Sequence, residues 1–259
     1  MTRESVDELR RLLSQTPPTR LPRLISTHDE DPRPGVQRAV ASARARLERH
    51  RIEQRRVASL YELERRLHRE GYSLVAGVDE VGRGALAGPV TAAAVVLPRL
   101  PRIPGLDDSK RLKPDYRELV AQRVASIALS TAVAHVSASE IDAIGIASAV
   151  RRAMTLALRN LDVMPDHVVV DGLPVGLARS ETAVVKGDAT VAAVAAASVI
   201  AKVARDSLMC SLAPEYPDYG FDVNKGYGTT EHVKAIFVHG PCVLHRRSFA
   251  PCGGTLPLF

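Results

Sequence analysis

The chain has only three cysteines, Cys210, Cys242 and Cys252, and no two of them stand in a C-x-x-C pair. An odd, scattered set builds no disulfide framework and no structural zinc site, and it fits a reducing compartment. No apolar run reaches the roughly 18 residues that a membrane span needs. The opening Met1-Thr-Arg-Glu-Ser-Val-Asp-Glu8 is too charged for a secretory signal. The expectation is a cytoplasmic protein with no membrane partner. An internal repeat is also missing, and residues 1–70 contain no lysine at all.

The 259 residues, 46% of them hydrophobic and 25% charged, suffice for one large globular domain, or one domain with a small appendage. The net charge of +6 is unevenly spread. Residues 1–70 hold sixteen arginines against eleven acids, whereas the remainder holds nineteen basic residues against eighteen acidic ones. A basic appendage on a near-neutral body suits a polyanionic partner, because cations that meet phosphates release condensed counterions. A solvated arginine-rich helix without a partner explains the composition equally well.

Residues 1–35 combine a short helix over Val6 to Leu13 with Pro17-Pro18, Pro22 and Asp31-Pro-Arg-Pro-Gly35, which otherwise reads as loop and turn. Val36, Val40, Ala43 and Leu47 then share one helical face, followed by Val57, Leu60 and Leu67, with Gly71 as a stop. From Tyr72 the texture changes. Residues 73–79 and 89–97 read as apolar strands joined by a glycine-rich turn, 114–127 as a helix and 129–136 as a third strand. Helices are expected at 139–144 and 147–161, short strands at 167–171 and 182–186, and a long alanine-rich helix at 190–209. Thr229 opens another helix that ends near Gly240. Strands that come first and then alternate with helices predict an α/β domain, a mixed β-sheet flanked by helices.

Four carboxylates stand at the ends of these strands. Asp79 and Glu80 close the first, Asp171 ends His167-Val-Val-Val, and Asp188 follows Thr182-Ala-Val-Val-Lys-Gly187. Carboxylates are costly to desolvate, clustering adds repulsion, and a divalent cation reverses the sign of that energy. An all-oxygen set with no Cys or His beside it favours Mg²⁺ or Mn²⁺ over zinc. Taken singly, each acid is equally a turn residue, as Asp171-Gly172 and Gly187-Asp188 illustrate.

Gly77-Val-Asp-Glu-Val-Gly-Arg-Gly-Ala-Leu-Ala-Gly-Pro89 closely resembles the opening signature of bacterial ribonuclease HII, the second type of ribonuclease H. Further stretches match that family in order: Gly105-Leu-Asp-Asp-Ser-Lys-Arg-Leu112, Val169-Val-Asp-Gly172, Lys186-Gly-Asp188, Ala195-Ala-Ala-Ser-Val-Ile-Ala-Lys-Val-Ala-Arg-Asp206, Lys225-Gly-Tyr-Gly-Thr229 and His245-Arg-Arg-Ser-Phe249. The resemblance implies a ribonuclease H-like fold with a helical C-terminal region. It divides the chain into a basic helical N-terminal extension (1–70), a catalytic domain (71–250) and a C-terminal tail (251–259).

The resemblance also implies the activity. The expected enzyme is an endonuclease that hydrolyses the phosphodiester at ribonucleotides embedded in DNA and in RNA–DNA hybrids. It would use two metal ions and leave 3′-hydroxyl and 5′-phosphate ends, as in ribonucleotide excision repair. Asp79, Glu80, Asp171 and Asp188 match the catalytic, metal-holding acids, the first three most closely. In Gly82-Arg83-Gly84 two glycines allow close backbone approach to a sugar, whose 2′-hydroxyl the backbone groups can then bond. Tyr227 matches the family tyrosine that works with this loop at the ribonucleotide–DNA junction. Lys110, Lys186 and Thr229 are candidates for phosphate contact, with exposed charges and a helix cap as the alternative. Asp108 is expected to orient Ser109 and Lys110, and Asp206 to be structural. His232, His239 and His245 lack metal-ligand spacing and read as ordinary helix or loop residues.

At the end of the chain, Thr255-Leu-Pro-Leu-Phe259 is similar to the short peptides with which bacterial repair proteins dock on the sliding clamp, although Thr255 replaces the usual leading glutamine. Leu256, Leu258 and Phe259 would bind the clamp, or else pack back on their own domain. Two other readings remain. One is the third type of ribonuclease H, against which Gly82-Arg83-Gly84 counts. The other is a non-catalytic nucleic-acid-binding module, which would have no use for four acids.

Overall fold

The computed structural model describes residues 4–253, in a chain that divides into two compact units, Met1–Ala58 and Ser59–Phe259. The proposed clamp residues Leu256, Leu258 and Phe259 lie outside the described residues. Among the described residues no helix is long and apolar enough to cross a membrane.

The first unit holds α1 (Val6–Gln15), α2 (Leu21–His28) and most of α3 (Pro34–Leu60). Ser5 and Glu8 close a capping box at the start of α1. The α2 helix corrects the reading of residues 17–35 as loop. Pro22 occupies its first turn, where a missing N–H leaves no helical bond unmade and the fixed φ suits the helix. Leu9 and Leu13, Leu21 and Ile25, and Val36, Ala39, Val40 and Ala43 bury one another between the three helices. Part of the arginine excess is used internally. Arg46 donates to the carbonyls of Leu13 (2.7 Å), Thr16 (2.5 Å) and Ser14, capping the C-terminal end of α1, where the helix dipole favours a cation. Arg33 is held by Asp31 (2.7 Å) and the Glu4 carbonyl (2.9 Å).

The second unit continues with α4 (Glu62–Arg69), which ends before Gly71 at φ 105°. Then follow β1 (Val75–Val81), β2 (Val90–Val96), α5 (Pro114–Ile127), β3 (Ser130–Val136), α6 (Ala138–Ile144) and α7 (Ile146–Arg159). After these come β4 (His167–Asp171), β5 (Glu181–Val184), α8 (Gly187–Thr190), α9 (Ala192–Leu212), α10 (Phe221–Asn224) and α11 (Thr230–His239). The strands form one sheet in the order β3-β2-β1-β4-β5. Pairing is antiparallel from β3 to β1 and parallel from β1 to β5. This is the mixed α/β sheet that the strand and helix pattern predicts. The long alanine-rich helix expected at 190–209 is α9, which starts two residues later because Val191 is extended, and the sequence reading missed the one-turn α8 before it.

Alternation along the strands sorts the two faces of the sheet. Val78, Val90, Ala92, Ala94, Val168 and Val170 pack with Ala149, Val150, Ala153 and Met154 of α7. On the other face Val75 and Val169 pack with Val194 at the start of α9. There a Cβ at Gly77 would lie 2.1 Å from the Ala193 carbonyl carbon, so only glycine lets α9 sit this close to β1. Glu64 of α4 reaches the same helix end and accepts from the Ala193 N–H at 2.8 Å. That contact caps α9, whose own N-cap residue, Val191, has no side-chain acceptor.

Candidate active site

The parallel register pairs Val78 with Val170, so the next residues, Asp79 and Asp171, come level at the ends of adjacent strands. Asp79 shares the parity of Gly77 and faces α9, where the Ser198 hydroxyl bonds it. Its antiparallel partner on β2 is Ala93, and that of Glu80 is Ala92, so small residues leave room beside both acids. Asp188 lies in the first turn of α8, directly after Gly187, whose N–H donates to Asp171 Oδ1 at 2.6 Å. The structure thus brings all four acids to one end of the sheet.

Their electrostatics are unfavourable as they stand. Asp79 is 4% exposed, and burial, then the Glu80 charge, pushes its carboxyl up to about 8. Burial also raises Glu80, and burial followed by Asp188 raises Asp171. Lys110 brings a cation to them. Lys110 Nζ lies 2.9 Å from Asp188 and 3.8 Å from Asp108. Burial opposes its charge, but Asp188, Asp108 and Asp79 outweigh that and raise its pKa.

The loop that carries Lys110 is braced. Asp108 accepts from the Lys110 backbone N–H (2.9 Å), Arg117 donates to the carbonyls of Ser109 (2.7 Å) and Leu112 (2.8 Å), and the Ser109 and Ser198 hydroxyls bond at 2.9 Å. Among the described residues no group of three or more His, Cys, Asp or Glu side chains is placed to hold a metal ion as the side chains stand. The donor set nevertheless suits a hard divalent cation. It is all oxygen, it is partly desolvated, and it carries mutual repulsion that a cation relieves.

β1 runs straight from these acids into Gly82-Arg83-Gly84. Gly82 has φ 84°, and a Cβ there would strike Arg205 Nε at 2.2 Å. Gly84 differs, since a Cβ there would meet nothing within 4 Å. Nothing inside the protein therefore demands glycine at 84, whereas an approaching ligand backbone would. The Arg83 side chain is exposed and lies 3.9 Å from Glu80.

Tyr227 sits across from this loop, with Lys202 Nζ and Arg205 Cζ 5.4 and 5.2 Å from its ring centroid. The backbone joins the two loops directly, as the Leu86 and Ala87 N–H groups both donate to the Gly226 carbonyl (2.8 and 3.1 Å). Tyr227 and Thr229 line a groove of about 880 Å³ together with Arg117, Lys202 and Lys225. Thr229 caps α11 by accepting from the His232 N–H at 3.2 Å. Lys186 is exposed, in a left-handed conformation one residue before α8. Asp206 is paired with Lys202 (2.9 Å) and Arg117 (3.8 Å), which uses its charge within the fold.

The histidines hold more than sequence spacing suggests. The Cys242 N–H donates to His245 Nδ1 (3.0 Å), so the neutral ring carries its proton on Nε2. That proton faces His232 Nε2 at 3.0 Å, leaving His232 Nδ1–H to donate to the Tyr227 carbonyl at 2.8 Å. Both rings are buried, and burial, then His232, lowers His245 to about 4. A relay of neutral imidazoles therefore fixes the tyrosine loop. No periodicity or spacing in the sequence announces it.

A family described as "Ribonuclease HII" matches residues 76–252, and one described as "Ribonuclease HII N-terminal domain" matches residues 5–68. A ribonuclease HII from a Geobacillus species is 41% identical over 97% of this chain and 90% of its own length. Among solved structures, the ribonuclease H2 of Pyrococcus horikoshii superposes with a TM-score of 0.60 at 28% identity, covering 70% of this chain and 95% of that one. The chain of a PCNA:RNase HII complex from Archaeoglobus fulgidus matches with a TM-score of 0.58 at 27% identity, covering 71% and 98%.

Proposed function

The chain belongs to the ribonuclease HII family and is an endonuclease acting on RNA in RNA–DNA hybrids, and from that premise we propose that Asp79, Glu80, Asp171 and Asp188 form its catalytic centre. The observation that carries this is Asp79, a nearly buried carboxylate pressed against like charges at the point where β1 turns into Gly82-Arg83-Gly84. These acids would hold a pair of Mg²⁺ or Mn²⁺ ions. Such ions, when bound, neutralise charge on the scissile phosphate and supply an acidified water.

The rest of the chemistry belongs to the chain. Asp79, buried and bonded by Ser198, fixes one side of the centre. Asp171, bonded by the Gly187 N–H, fixes the other. Lys110 offers a cation to a phosphate oxygen at the cost of loosening its hold on Asp188. Gly82, Arg83 and Gly84 read the ribose, because the open space at Gly84 admits a sugar edge and the backbone can bond its 2′-hydroxyl. Tyr227 lies against the deoxyribose at the junction. Lys186, Thr229 and the N–H groups opening α11 contact backbone phosphates. The test is cleavage of a DNA duplex carrying one ribonucleotide, with and without Mn²⁺. Metal-dependent incision beside the ribonucleotide, giving 3′-hydroxyl and 5′-phosphate ends, is expected. Cleavage that ignores the ribonucleotide would overturn the assignment.

Two further parts of the reading concern partners. Residues 1–70 act as a basic appendage that strengthens nucleic-acid binding, supported by sixteen arginines against eleven acids in that stretch. Deleting them would flatten the salt dependence of binding. The tail residues Leu256, Leu258 and Phe259 dock on a sliding clamp. The archaeal relative solved in complex with PCNA supports this proposal, as does the apolar ending Leu-Pro-Leu-Phe. Replacing Leu258 and Phe259 by alanine would abolish clamp binding and leave cleavage intact.

A further inference from the structure

Outside the acid cluster the protein buries two guanidinium groups completely, those of Arg205 and Arg246, and among the described residues neither forms an ion pair. A buried charge without a counter-charge is expensive unless its hydrogen bonds are all made. Here backbone carbonyls give every guanidinium nitrogen at least one acceptor. Arg246 donates from Nη2 to Gly82 O (2.7 Å) and Gly88 O (3.0 Å), from Nη1 to Arg83 O (3.0 Å) and from Nε to Gly88 O (3.1 Å). Arg205 donates to Pro89 O (2.9 Å), Lys225 O (2.8 Å) and Ala87 O (3.0 Å). Burial, then the Arg205 charge, lowers Arg246 only to about 10, so it stays a cation and a full donor at neutral pH.

The consequence follows from the planarity of the peptide unit. In a trans peptide the carbonyl of one residue and the N–H of the next point in opposite directions. Arg246 draws the Gly82 and Arg83 carbonyls inward and thereby turns the N–H groups of Arg83 and Gly84 outward. Among the described residues neither N–H has a protein acceptor. Outward from Gly84 the space is open, and the Asp79–Glu80 pair lies just before the loop in β1.

We infer that Arg246 is a positioning residue for ribonucleotide recognition, holding the loop so that the Arg83 and Gly84 amides form a fixed donor pair for the ribose 2′-hydroxyl and its adjacent phosphate. The inference rests on the reading of this loop as the ribose reader and adds the group that aims it. Donors fixed before binding lose no freedom on binding, which is where their selectivity comes from. Lysine cannot substitute, because its donors radiate from one atom and cannot span three carbonyls on a planar fork.

The test uses the full-length protein, a DNA duplex with one ribonucleotide and its all-DNA counterpart, both bound in Ca²⁺ buffer. Arg246→Lys should reduce the binding preference for the ribonucleotide duplex by about tenfold or more, the scale of one fixed donor lost. Its Mn²⁺ affinity, read by calorimetry, should stay within about twofold, because the acids hang on β1, β4 and α8 rather than on the loop. A merely structural role would lower the melting temperature and leave the preference unchanged, and that result overturns the inference. A second measurement needs no variant. In the wild type the Arg83 and Gly84 amide resonances should move on adding the ribonucleotide duplex and not on adding the all-DNA one. If they do not move, the inference fails even if Arg246→Lys does not fold. A wild type that binds the two duplexes equally would remove the ribose-reading assignment itself, a failure separable from that of Arg246.

Discussion

Two regions of the second unit bury ionisable groups and treat them in opposite ways. At the ends of β1 and β4, Asp79, Glu80 and Asp171 are held close to one another, and burial and mutual charge raise their pKa values. Behind the loops, Arg205, Arg246, His232 and His245 are buried as deeply, yet each has its polar atoms matched to backbone carbonyls, a backbone N–H or a neighbouring ring. The first region stores electrostatic repulsion that a cation can relieve. The second is already satisfied and serves as a rigid support. Burial alone therefore does not mark a functional site, and unrelieved burial is the informative signal.

The largest effect is expected at Asp79. Asp79→Asn should lower cleavage by orders of magnitude, because it removes ligand charge. The same change should stabilise the metal-free protein at alkaline pH. Unfolded, this carboxyl loses its proton near the ordinary aspartate value, whereas folded it keeps the proton up to about 8. Between those limits the folded state binds the extra proton, so metal-free stability falls as pH rises through that window. Melting curves across the window should show a slope in the wild type and a flatter profile in Asp79→Asn. Equal slopes would mean that Asp79 is not the strained group.

Tyr227→Ala should act next. It should reduce cleavage at a single embedded ribonucleotide by about tenfold, the worth of one lost stacking contact. Cleavage within a long hybrid should suffer less, since a hybrid offers several registers. Paired rate measurements on the two substrates check this, and equal losses would separate Tyr227 from junction reading.

The support region should show the opposite pH behaviour. His245 is lowered to about 4 by burial and then by His232, below its ordinary value. The unfolded chain takes up that proton first, so this contribution to stability is lost as pH falls from about 6.5 toward 4. His245→Gln should remove that acid sensitivity. It should also cost about 1–3 kcal/mol at neutral pH, because His232 loses its partner. Denaturant melts at neutral and acid pH measure both effects.

The acids drew notice in the sequence because they follow apolar strands, but each alone reads as well as a turn residue, and the resemblance of the surrounding motifs is what singled them out. The strand spans were legible without it: runs such as Val90-Thr-Ala-Ala-Ala-Val-Val96 are buried on both faces and bounded by glycine and proline. The helix α2 was not, since a proline reads as a breaker until its position in the first turn is known. Arg205 and Arg246 were hidden for another reason. Their partners, Ala87 and Gly82, lie 118 and 164 residues away and are backbone atoms, which leave no mark on residue type. The same holds for the Tyr227 carbonyl that His232 grips. Supports made from backbone carbonyls become visible only with the fold.

On this reading a divalent cation relieves the repulsion among Asp79, Glu80, Asp171 and Asp188. Calorimetric titration of Mn²⁺ into the wild type and Asp79→Asn near neutral pH, repeated in buffers of different ionisation enthalpy, tests it directly. The wild type should bind Mn²⁺ and release a proton as it does so, because Asp79 is still protonated at that pH. Asp79→Asn should bind far more weakly and release less. Undiminished binding by Asp79→Asn, or binding by the wild type without proton release, would mean that the cation does not relieve a buried Asp79.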